Sequence, residues 1–286
     1  MSEVRQRWRI VFARGEEARY LSHLDAVKGW ERAFRRGDIP IATTEGFSPR
    51  SKLVFAAPLQ LGMLAERELA DLFLAERLTS PDLRARLSAG MPNGYRVVGM
   101  HDVWSGAPAL ATQLVAADYR MTLLNVEHDA LRAAAERLMA AEHLPRQRRK
   151  ESRSITYDLR PLLLELRVGA PDTDAGAGAG LWMRLRHSQN DGSGRPDEVV
   201  AALADELGMR TVPTPGASDD EALGKVSAET PTHSAAGRDV NAPSAPSAPA
   251  GLALEVLRPV RERLWLDEEL TPKPAVPVVR NPRDDG

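Results

Sequence analysis

His23 and six cations fall between Ser22 and Lys52, in the stretch SHLDAVKGWERAFRRGDIPIATTEGFSPRSK. Ser22 can cap a helix, with Asp25 at the capping-box spacing. At 100° per residue, Val27, Trp30 and Phe34 share one side of that helix, while Lys28, Arg32, Arg35 and Arg36 share the other. Gly37 or Asp38 ends it and Pro40 prevents its resumption. Phe47, Arg50 and Lys52 follow in the loop EGFSPRSK. Several cations on one face, an aromatic side chain to stack a base and a glycine for close backbone approach are what an anion site for a nucleic-acid backbone needs. A solvated helix face and an ordinary turn are the other reading of the same residues.

His23 lies by helical angle with Val27, Trp30 and Phe34, on the core side and away from the cations. The positive end of the helix dipole favours its neutral form. It suits a structural histidine bonded to a backbone carbonyl, or a general base beside a substrate hydroxyl, the one catalytic candidate in the chain. A second basic run, Arg146 to Arg153, contributes Arg146, Arg148, Arg149 and Lys150, either as a solvated loop or as further anion contacts.

Other chemistries find no residues to carry them. There is no cysteine, hence no disulfide, thiolate nucleophile, zinc ribbon or Cys-ligated iron–sulfur cluster. His101, His128, His143, His187 and His233 are scattered, no two at i,i+4 on one helix, so no metal site and no cofactor are expected. The phosphate-binding, dinucleotide-binding and G-x-S-x-G motifs are all missing. The net charge of −2 does not by itself mark a nucleic-acid binder, but its distribution is uneven. Residues 1–60 carry eleven Lys/Arg against seven Asp/Glu, and residues 214–286 eight against twelve. With no apolar signal core and no run of eighteen apolar residues, the expected location is the cytoplasm, with no membrane contact.

The elements that must position these residues follow from periodicity. Trp8, Ile10 and Phe12 alternate as a strand, the basic helix follows, and a strand is expected near Leu53 to Pro58. Glu66 to Glu76 reads as strand, Ser80-Pro81-Asp82 starts a helix, and Tyr95 to Val103 is a strand. This is β-α-β-β-α-β, the ferredoxin-like order. After a connector at Ala109 to Ala117 the order repeats. It runs through a strand to Leu124, a helix from Glu127 to Glu142, strands in Ile155 to Val168 and Leu181 to His187, a helix from Pro196, and a short closing strand at Arg210 to Val212. The expectation is an α+β fold with two tandem ferredoxin-like units, 1–105 and 115–212, and a mostly disordered tail, 213–286. Pro171 to Gly180 should be a flexible hairpin tip. The apolar segment 252–266 suits a docked strand, a short helix or a partner-binding segment. Two such units could bring both basic runs into one groove, as in the RNA-processing proteins of CRISPR systems, an analogy of fold that carries no function.

SHLD, ERAFRR, IP, EGFSPRSK and LVFAAPLQLG together resemble the bacterial radical-SAM-associated family, a domain of unknown function. Its members occur alone or fused behind a cobalamin-binding radical SAM module. Thr44, Ser48, Arg50 and Ser51 stand where that family's pattern prefers Ser, Asn, His and Pro, which leaves no imidazole in the loop. The resemblance continues weakly to about residue 210. It implies a radical SAM enzyme as partner, on a separate chain because this one has no cysteine. The leading functional expectation is therefore an accessory protein that binds RNA, tRNA or rRNA, or another anionic substrate, for that partner. An RNA-processing or RNA-modifying enzyme using His23 and a protein-binding adaptor are the alternatives.

Overall fold

The computed structural model describes residues 4–45, 47–150, 153–171, 178–188, 192–212 and 253–270. The expected disorder of 213–251, the hairpin tip at 172–177 and His233 lie outside the described residues. Strand β1 (Gln6–Arg14) turns Trp8, Ile10 and Phe12 into a core shared with helix α1 (His23–Arg36). On its other face Arg7 and Arg9 are also buried, and both donate to the carboxylate of Asp71. At the start of α1, Ser22 Oγ accepts the Asp25 backbone N–H at 3.2 Å and donates to the Asp25 carboxylate at 2.7 Å. The helix stops at Gly37, and Asp38 takes a left-handed φ of 49°. Ala26, Trp30, Ala33 and Phe34 are its buried side.

Strands β2 (Leu53–Phe55) and β3 (Leu64–Leu74), helix α2 (Ser80–Gly90) and strand β4 (Tyr95–Val103) complete the first half. β1 pairs antiparallel with both β3 and β4, and β2 with β3. Helix α2 has Thr79 at its cap, Pro81 in its first turn and Leu83 and Leu87 buried. The two helices meet closely through small residues. A Cβ on Gly90 would lie 2.3 Å from the Ala33 carbonyl oxygen, and one on Gly37 2.4 Å from that of Arg86.

The second half begins with β5 (Leu114–Leu124), which starts inside the expected connector, and α3 (His128–Ala140). The second basic run is not a loop. Pro145–Lys150 (β6) and Arg153–Asp158 (β7) form a separate two-stranded antiparallel hairpin. A 3-10 turn at Arg160–Leu162 makes the bend expected at Asp158 to Pro161 and leads into β8 (Leu163–Gly169). Strands β9 (Ala179–Ser188) and β10 (Gly192–Ser193), helix α4 (Pro196–Glu206) and strand β11 (Arg210–Thr211) follow.

The apolar segment near the end of the chain is strand β12 (Ala253–Leu266), followed by a short helix, α5 (Asp267–Leu270). β12 lies between the two halves. It pairs antiparallel with β5 and parallel with β3. The result is one mixed, mostly antiparallel sheet, ordered β10–β9–β5–β12–β3–β1–β4, with β8 on β9, β2 on β3 and β11 on β12. The two-residue β11 pairs with β12 and not with β5, so the long strand does the closing expected of Arg210 to Val212. Leu254, Leu264 and Leu266 bury into the core under α3 and α4, which tethers the strand by apolar area as well as by backbone pairing. Among the described residues no helix is long and apolar enough to cross a membrane, and no three His, Asp or Glu residues cluster as a metal site.

Candidate functional site

His23 is the first residue of α1, directly after its cap, and reaches under the helix toward the sheet. There it lines a small pocket with Phe12 and Arg14 of β1, Phe55 of β2, Glu68 of β3 and Tyr95 of β4, roofed by Ala26, Ala57 and Leu59. The cavity itself is about 20 Å³, room for about one water molecule. The imidazole stands edge-on to Phe55, ring centres 5.6 Å apart, and burial lowers its pKa, which keeps it neutral at pH 7. No hydrogen bond to either ring nitrogen is present among the described residues. The structure thus departs from the backbone-bonded histidine that was one of the two readings.

The charged neighbours of His23, by contrast, are fully engaged. Arg14 donates to the carbonyls of Gln60 and Met63, each at 2.7 Å, and its guanidinium faces the Tyr95 oxygen. Burial raises the Tyr95 pKa, so the phenol keeps its proton. Glu68 accepts both Nε and Nη2 of Arg261, which also reaches the carbonyls of Pro58 and Ala57 and pairs with Tyr119. None of Arg14, Glu68 and Tyr95 stands out in the sequence. They come from three strands, and no spacing links them to His23.

The cations of α1 divide. Lys28, Arg32 and Arg35 are exposed, and no ion pair involves them among the described residues. Arg36 is not available in the same way, because its Nη2 donates to the Gly90 carbonyl at 2.6 Å and closes the end of α2. The EGFSPRSK loop is a hairpin held by Thr44 N–H to the Arg50 carbonyl at 2.9 Å and Arg50 N–H to Thr44 Oγ1 at 3.1 Å. Phe47 sits wholly exposed in it, and Arg50 is exposed. Lys52 is turned away from this group. Its Nζ lies 5.4 Å from the centre of the Phe73 ring, which also receives Arg7 at 5.4 Å, on the sheet face opposite α1. Successive strand residues face opposite ways, so Lys52 and the helix cations lie on different sides of the sheet.

In the second basic run, Arg146 is committed to α4 through Asp205 and Glu198. The side chains of Arg148, Arg149 and Lys150 lie outside the described residues. The helix-free face of the second half carries a ladder that sequence reading missed. Arg167 and Arg184 lie 4.5 and 5.4 Å from the ring centre of Trp182, and Arg184 and Arg263 lie 4.6 and 3.9 Å from that of Trp265. The indole N–H groups donate to Glu262 and Asp118. With two guanidiniums over each indole and both N–H groups satisfied, the ladder binds strands to one another. It is not an open stacking platform.

Residues 7–196, about two thirds of the chain, match the family model described as "Uncharacterized protein conserved in bacteria (DUF2344)". The chain belongs to this DUF2344 family. The match takes in α1, the EGFSPRSK loop and every residue of the His23 pocket, and it stops before β12. No curated protein matches the chain. Among solved structures, this DUF2344 protein is similar to one titled "Crystal Structure of an Unknown Protein from Galdieria sulphuraria", at 11% identity and a TM-score of 0.22, covering 71% of this chain and 89% of that one.

Proposed function

We propose that the protein is an accessory RNA-binding protein that presents RNA to a partner radical SAM enzyme. The observation that carries the RNA reading is the state of Lys28, Arg32 and Arg35. They stay exposed on one helix face with no acidic partner among the described residues, while Arg7, Arg9, Arg120, Arg146, Arg184 and Arg261 are all consumed by carboxylates. Unpaired cations on a rigid helix suit phosphate contacts, which supply affinity and register. The wholly exposed Phe47 suits base stacking. The radical SAM partner rests on the sequence resemblance and on the absence of cysteine for a cluster in this chain. We also read the fold as two ferredoxin-like units sharing one sheet. The strand orders β4–β1–β3–β2 and β12–β5–β9–β8, each with two helices, support that reading.

The test is the salt dependence of binding to a single-stranded RNA. Each phosphate contact contributes about 0.7 to the slope of log affinity against log salt. Arg32→Ala with Arg35→Ala should weaken binding and lower that slope by about 1.4. Arg36 is left intact because it closes α2. An unchanged slope, or no RNA binding by the wild type at low salt, refutes the reading and favours an adaptor that docks an acidic protein surface.

A further inference from the structure

We propose that Trp104 is a base-stacking platform for single-stranded RNA, with Lys52 as a phosphate contact at the same end of the sheet, on the face opposite α1. This rests on the RNA reading above and adds a second contact, separate from the helix cations.

Trp104 directly follows β4 and is 79% exposed, whereas tryptophan is on average a highly buried residue. Its ring is nonetheless held. The Ala107 N–H donates to the Trp104 carbonyl at 2.9 Å and closes a turn. Within that turn the indole lies against Gly106, so closely that a Cβ there would fall 2.6 Å from Cζ2 and 2.7 Å from Cη2. A glycine leaves the ring that seat, with one face laid on the backbone and the other open. The turn is itself tied to the sheet. Arg7, buried and paired with Asp71, donates to the Ala107 carbonyl at 2.7 Å and to the Pro108 carbonyl at 2.9 Å. The other four tryptophans are occupied. Trp8 and Trp30 are buried, and Trp182 and Trp265 each carry two guanidiniums. A fixed ring with one free face needs no ordering before it stacks a base, and stacking needs only that face. A protein contact wants a continuous apolar patch. The exposed neighbours His101, Asp102 and Ser105 do not make one, which favours a base.

Strand register places the cation. Phe73 pairs with Arg7, Arg7 pairs with Val103, and the Phe73 N–H donates to the Lys52 carbonyl at 3.1 Å. Lys52, Phe73, Arg7 and Val103 therefore form one row across the sheet, and Trp104 follows at its end. The Lys52 ammonium and the Arg7 guanidinium both lie 5.4 Å from the centre of the Phe73 ring, on the face opposite α1. Arg7 is spent on Asp71 and on the turn. Lys52 has no ion pair among the described residues, so it is the cation of this row left for a phosphate. Three strand spacings, about 14 Å, separate the two ends of the row, a distance that a few nucleotides of a single strand can span.

The experiment titrates a single-stranded RNA into the full chain and follows both affinity and tryptophan fluorescence, for wild type, Trp104→Ala, Gly106→Ala and Lys52→Ala, with a melting curve for each. Trp104 and Gly106 are exposed, so their variants should melt with the wild type. RNA should quench part of the wild-type emission and shield it from acrylamide, and both effects should disappear in Trp104→Ala. That variant should bind RNA about 5- to 150-fold more weakly with the salt slope unchanged. Gly106→Ala should also weaken binding, because its methyl group pushes the ring from its seat while leaving the indole in place. Lys52→Ala should lower the slope by about 0.7. If Trp104→Ala binds RNA as the wild type does, or RNA leaves the wild-type emission unchanged, the platform is refuted while the α1 face stands, and Trp104 falls to a protein partner. An unchanged slope in Lys52→Ala refutes the phosphate contact. If no RNA binds the wild type at low salt, both proposals fall.

Discussion

Arg261 of β12 and Glu68 of β3, 193 positions apart, form a buried ion pair, with Nε to Oε1 at 2.7 Å and each side chain 3% exposed. Burial opposes the charge on Arg261, but Glu68 and Tyr119 more than offset this and raise its pKa. The pair joins the last strand to the first half of the chain. Because Arg261 also holds the Ala57 and Pro58 carbonyls and Glu68 lines the His23 pocket, it joins that strand to the candidate site as well.

Removing one member of the pair strands the other charge in the core. Glu68→Leu is expected to destabilise the protein by about 3–5 kcal/mol, measured by urea unfolding at neutral pH. A loss below about 1 kcal/mol would mean that Arg261 finds another counter-charge or reaches water.

Close contact between α1 and α2 makes a sharper steric prediction. Gly90→Ala sets a methyl group 2.3 Å from the Ala33 carbonyl oxygen, a backbone atom that cannot swing aside. The expected cost is about 1–3 kcal/mol. Gly169→Ala, with nothing within 4 Å of the new Cβ, should stay within about 0.5 kcal/mol of wild type. Equal melting temperatures for the two variants would contradict the packing described.

Acid should weaken the fold before its carboxylates titrate. Burial, with a contribution from Arg261, holds the His187 pKa down to about 4. The unfolded chain binds that proton near pH 6.5 and the folded chain refuses it. The stability linked to His187 is therefore complete above pH 6.5 and falls as pH drops toward 4, by on the order of 3 kcal/mol. His23, shifted in the same direction by burial, adds to the trend. Urea midpoints at pH 7 and pH 4.5 test this. A wild-type midpoint that does not move, or a His187→Asn variant with the same acid sensitivity, would remove His187 as the cause.

Phe47 separates binding from stability. Wholly exposed, it should leave the unfolding free energy within about 0.5 kcal/mol when changed to Ala. If it stacks a base, the same change costs about 1–3 kcal/mol of RNA affinity with little effect on the salt slope. Unaltered affinity would confine the interface to α1.

Local rules were enough for the helices and most strands. The Ser22 cap, the split of α1 into Trp30 and Phe34 against Lys28, Arg32 and Arg35, and the proline-started helix at Pro196 are all legible from spacing, because a helix chooses its inward face from its own periodicity. The alternation of Trp8, Ile10 and Phe12 likewise marks β1. What spacing does not encode is which distant strand a segment pairs with. The segment 252–266 reads equally as strand, helix or partner-binding stretch. Its place between β3 and β5 was decided by backbone pairing to both and by burial of Leu254, Leu264 and Leu266. Lys52 looks like a neighbour of the helix cations in sequence, but pairing of β2 with β3 sends it to the opposite face of the sheet. Arg14, Glu68 and Tyr95 meet His23 only because β1, β3 and β4 lie side by side under the first turn of α1. Periodicity is a property of ten residues, whereas a pocket with four polar walls is a property of strand order. In this protein the helix face was written locally, and the site beneath it came from the sheet.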